Sequence, residues 1–135
     1  MITLQTLIFI AGCLHFGILI ASALVPQVLD WRSDLQRVSP LTRQLVWTHG
    51  IFIVLVIIGF GLLGITQSAA LASGDALARA VSGFVAIFWG SRLMLQYTWL
   101  DARAYLTKAY LKLGYHSLTL LFAYFTGVFG YAALR

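Results

Sequence analysis

Five polar residues stand in a position to do chemistry within an otherwise apolar sequence: His15, His49, Arg92, Gln96 and His116. An imidazole supplies a ligand nitrogen or a proton carrier, and two histidines from facing helices are the usual axial pair of a membrane haem b. A guanidinium stays charged and donates in a fork, which suits a haem propionate or a quinone carbonyl. Gln96 follows Arg92 by four residues, so on a helix both leave the same face. A quinone asks for less than haem does, only hydrogen-bond donors beside an apolar slot. These five residues are read as a candidate site for a lipid-soluble redox partner, quinone or haem. If haem is bound, its iron falls to His49 and His116.

The elements that must hold them follow from composition. The chain has 135 residues, 61% of them hydrophobic and 10% charged, with a mean hydropathy of +0.91. Soluble domains run at about 45–50% apolar and about 25% charged, so this much apolar surface cannot be hidden in a soluble core. About 20 apolar residues cross a bilayer core of ~30 Å as a helix. The chain holds four runs of that length and little else. The expected fold is all-α, a polytopic four-helix transmembrane bundle forming a single membrane domain over residues 1–135. Its helices are expected near residues 3–26, 42–66, 76–99 and 110–134.

Local signals set the limits of these spans. The first run carries no Lys or Arg ahead of it and exceeds the ~7–15 residue apolar core of a secretory signal, so it reads as a retained helix. Pro26 is expected to end or kink it. Ser39-Pro40 is a helix start, serine as N-cap and proline at the first position. Gly59, Gly61 and Gly64 thin the far half of the second helix for close approach. In the fourth, His116, Thr119, Ala123, Gly127 and Gly130 recur at steps of three and four, a seam expected to face another helix.

Charge sets orientation. The first and third connections hold Arg32, Arg37, Arg43, Arg103, Lys108 and Lys112, against Arg79 and Arg135 on the other side. The positive-inside rule puts both basic loops in the cytoplasm and both termini on the non-cytoplasmic side of a cell membrane, expected to be an inner membrane. Counted from those loops, His49, Arg92, Gln96 and His116 share the cytoplasmic third of the bilayer, and His15 lies near its centre.

Each of these residues also has a structural role to weigh. Arg92 can snorkel to the headgroups. His15 can bond one helix to the next, and Trp89, the deepest tryptophan, can wall a pocket. Several chemistries are excluded. HExxH and glycine-rich phosphate loops are absent, no Glu exists for a carboxylate metal site, and Cys13 has no adjacent base. The net charge of +5 sits in short loops of a membrane chain, which argues against nucleic acid. The expected partners are membrane lipids and a protein partner in the membrane. Two competing readings are a non-catalytic accessory or scaffold subunit and a small transporter formed by oligomerisation.

The order of His15 followed by Leu24-Val25-Pro26 resembles the first helix of the haem-binding bacterial protoporphyrinogen oxidases, where a histidine precedes a Leu-Pro exit. Haem binding is what that resemblance implies. The acidic and asparagine-containing motifs of that family have no counterpart in this Glu-free chain, and no family is assigned.

Overall fold

The structure, a computed structural model, describes residues 3–98 and 108–135. The expectations for Trp99, Asp101, Arg103 and Tyr105 lie outside the described residues. The described residues are mostly helical: α1 (Leu4–Val28), the short α2 (Trp31–Asp34) continued by a 3₁₀ turn at Leu35–Arg37, α3 (Pro40–Thr66), the short α4 (Ser68–Leu71), α5 (Ala76–Thr98) and α6 (Ala109–Leu134).

The helix starts follow ordinary capping chemistry. Thr3 accepts from the Thr6 amide, and Ser39 accepts from the Thr42 amide with Pro40 just inside α3. Pro26 does not end α1, which runs on to Val28. The connector expected between the second and third spans contains the one-turn α4, followed by a turn in which Gly74 takes a left-handed φ of 85°.

Three helices, α1, α3 and α6, are long and apolar enough to cross a membrane. Most of their surface is not covered by the protein: Ile51, Phe52, Leu113 and Leu120 are all exposed. Exposed apolar area on this scale marks a chain whose solvent is lipid. α5 has the length, 23 residues, but carries Arg79, Arg92 and Gln96 and falls short on apolarity.

The long helices pack as two antiparallel pairs, α1 with α3 and α5 with α6, which meet chiefly where α1 touches α6. The two pairs use opposite means. Between α1 and α3 the backbones nearly touch. A Cβ on Gly64 would lie 2.7 Å from Gly12 Cα, and one on Gly12 would lie 2.7 Å from the Ile65 nitrogen. Without a hydrophobic push between helices in lipid, such close approach gains the dispersion contacts that hold them together. Between α5 and α6 bulk does the packing, with Trp89, Phe122, Phe125 and Phe129 all buried.

The seam expected on the last helix holds only at Thr119, which accepts from Gln96, and at Gly130, which lies beside Ala86 of α5. His116, Ala123 and Gly127 are exposed, and a Cβ on Gly127 would meet nothing within 4 Å. The contact face is instead Phe122, Phe125, Phe129 and Ala132, because the aromatic rings reach across the gap to α1 and α5 that small residues could not fill.

Gly64→Ala should therefore destabilise the detergent-solubilised protein by about 1–3 kcal/mol, the usual cost of overpacking. Gly59→Ala and Gly127→Leu should not lower thermal stability, since both positions face open space and glycine is the weaker helix former. A thermal melt followed by circular dichroism distinguishes the three.

Candidate functional site

His15 lies near the midpoint of α1, roughly 16 Å from Leu4 at ~1.5 Å per residue. It is fully buried, and both ring nitrogens are occupied. Nδ1 lies 2.6 Å from the carbonyl of Ala11, one turn back, and Trp89 Nε1 on α5 donates to Nε2 at 2.9 Å. A carbonyl can only accept and an indole N–H can only donate, so the ring is the neutral Nδ1–H tautomer. The ring stacks on Phe125 at 4.1 Å between centroids and meets Phe60, Trp89 and Phe129 edge-on. All four long helices therefore touch one imidazole.

Polar groups around this hub are paired almost throughout. Tyr124 Oη donates to the Leu7 carbonyl at 2.8 Å, a second tie from α6 to α1. On the other side Gln96, also buried, donates to Thr119, whose hydroxyl donates to the Tyr115 carbonyl at 3.1 Å. Ser82 Oγ is the buried side-chain polar atom left without a partner among the described residues.

The five candidate residues do not converge. Arg92 and Gln96 both reach α6, Gln96 to Thr119 and Arg92 over the face of Phe122, 5.4 Å from the ring centroid. Phe122 in turn stacks on Trp89 at 5.1 Å, so Arg92 is linked to His15 through two aromatic rings. His49 is exposed on α3 and its Nδ1 bonds back to Leu45 O at 2.7 Å. His116 is exposed on α6 against Tyr115. Each stands on a different helix pair and points out of the packing, so the structure does not bring the two together across a shared cavity. Among the described residues no group of three His, Cys, Asp or Glu side chains is placed to hold a metal ion.

The open space lies elsewhere. Past the hub α1 and α6 separate, leaving a groove of about 260 Å³ between Ala21, Leu24 and Val28 on α1 and Leu111, Gly114 and Leu118 on α6. Its lining is almost wholly apolar, with the Tyr110 and Tyr115 side chains on its walls. Lys108 approaches the Tyr110 ring at the groove's end.

The His15–Trp89 pair was legible in part. A deep indole N–H needs an acceptor, and His15 is the one imidazole at that depth. The groove was not, because it exists only where two helices diverge.

Trp89→Phe should leave His15 Nε2 buried without a donor and cost about 1–3 kcal/mol. His15→Leu should cost more, about 2–5 kcal/mol, since it removes the stacked ring and orphans the indole N–H as well. The double variant His15→Leu/Trp89→Phe should be less destabilised than the sum of the two, and a double-mutant cycle of chemical denaturation in micelles measures that coupling. No protein-family model matches this chain, and neither a curated protein nor a solved structure shows significant similarity to it.

Proposed function

We propose that this is a multi-pass membrane protein with α5 as its fourth span, and that it binds a lipid-soluble quinone in the groove between α1 and α6. The groove carries the reading: an apolar slot with two tyrosines, Tyr110 and Tyr115, among its lining suits an apolar ring with an isoprenoid tail, and the phenols are the nearest groups able to donate to its carbonyls. Quinone is favoured over haem b by the placement of the histidines. His49 and His116 point outward, and both nitrogens of His15 are already used.

Two observations support α5 as a span. Phe84, Ile87 and Met94 expose apolar surface along its length, and it runs antiparallel beside α6. Of its polar residues, Arg92 lies exposed over the Phe122 ring and Gln96 is bonded to Thr119. Both termini then lie on the non-cytoplasmic side, because Arg32, Arg37, Arg43, Lys108 and Lys112 gather at the other end. The two cations at the terminal end are engaged locally: Arg79 donates to the Ala133 carbonyl at 2.9 Å, and Arg135 to that of Ala72 at 3.4 Å.

Protein purified in mild detergent should carry quinone, measured by chromatography of its lipid extract. Gly114→Leu should reduce that quinone about tenfold, the effect of ~1.4 kcal/mol. The added side chain enters open groove space and meets no neighbour, so stability should hold. Wild-type extract with no quinone above that of an unrelated membrane protein would overturn the reading.

Phosphatase and fluorescent-protein fusions at Arg135 test orientation. The phosphatase fusion should be active and the fluorescent one dark.

A further inference from the structure

A second site lies at the corner where α1 gives way to α2 and α3. Asp30 takes a left-handed backbone, φ 54°, unusual for a residue other than glycine. This turn swings the short α2 back so that Trp31 packs beside Gly50 of α3 and meets the Trp47 ring edge-on at 5.2 Å. The 3₁₀ turn that follows carries the Leu35 carbonyl to Arg43, which donates to it through Nε at 3.0 Å. Nε is thereby spent, and the outer fork of the guanidinium makes no hydrogen bond among the described residues.

Two clefts open around this aromatic pair. One of about 220 Å³ is lined by Trp31, Arg32, Gln36, Arg43 and Trp47. The other, of about 480 Å³, shares Arg32 and Trp47 and extends over Pro26, Gln27 and Asp30. Below them, sharing Ala23, Pro26 and Trp47, runs a mostly apolar groove between α1 and α3 past Gly50, Ile51 and Val54. Two arginines stand at the top, two indoles mark the level of change, and apolar groove lies beneath. That is the order of groups along a phospholipid.

We propose that this corner is a binding site for one anionic phospholipid, its phosphate held by Arg32 and Arg43 and one acyl chain laid in the α1–α3 groove. Arg32 and Arg43 outnumber the one carboxylate in the clefts, Asp30, so the lining is net positive, and a guanidinium held at Nε still presents one N–H from each Nη to two phosphate oxygens at once. Basic pockets between spans on the cytoplasmic side are the ordinary means of selecting anionic head groups, and indoles belong at that depth. The site is separate from the α1–α6 groove and does not depend on what occupies it.

Native mass spectrometry of the protein in micelles containing phosphatidylglycerol tests this. One phosphatidylglycerol should be retained per chain, in preference to phosphatidylcholine, which shares the phosphate and the chains but carries no net charge. Arg43→Gln and Arg32→Gln should each weaken retention about tenfold, as loss of a charge-assisted hydrogen bond does. Arg37→Gln removes the same charge from the same loop outside both clefts, and should cost only the few-fold attraction of one surface cation. Arg32 makes no hydrogen bond within the described loop, so its variant reports on binding even if Arg43→Gln disturbs the fold. Equal losses for Arg37→Gln and Arg32→Gln would reduce the effect to diffuse attraction and overturn the site. Inorganic phosphate alone, displacing the lipid or forming the same one-to-one adduct, would overturn the lipid as its source.

Discussion

In a bilayer there is no water to receive a polar group that loses its partner, and the hydrogen bond from Trp89 to His15 is placed where that constraint is most severe. The imidazole can accept from the indole only because its other nitrogen is committed to the Ala11 carbonyl. Tautomer, ring orientation and helix register are thus fixed together. The bond spans from α1 to α5, while Phe60 of α3 and Phe125 and Phe129 of α6 close the ring in. Moving any long helix by a residue would open a polar gap in the apolar centre. The glycine contact between α1 and α3 serves the same end, since it lets Phe60 approach the imidazole.

Packing is unequal along the helices, and the open sites follow from that. On the terminal side of the hub, Tyr124 ties α6 to α1 and the arginines engage carbonyls at helix and turn ends. On the basic side α1 parts from α6, and its junction with α3 is propped by a pair of indoles. Both grooves lie there, beside the cations. The chain closes one half firmly and leaves the other grooved.

The three histidines show how far environment outweighs residue type. Buried in the centre, His15 spends both nitrogens on the protein and becomes an element of architecture. His49 and His116, exposed at the ends of separate helix pairs, do not share a pocket. The side chains lining the grooves include tyrosine, tryptophan and arginine instead, groups whose chemistry is donating and stacking.

Much of this was determined by the sequence alone. Helical class, membrane-scale apolarity and the Ser39-Pro40 start are local properties, set by composition and by chemistry within one turn. The depth of His15 follows from counting along one helix. What only the tertiary structure decided was rotation and divergence. Periodicity marked a small-residue seam on α6, but lipid and a neighbouring helix are both apolar, so hydropathy could not tell which of them Gly127 faces. In water a polar stripe reveals the outer face; in a bilayer that signal vanishes, and the choice passes to shape. The Phe122, Phe125 and Phe129 rings fit the space beside Trp89 and His15, and fitting them turned Ala123 and Gly127 outward.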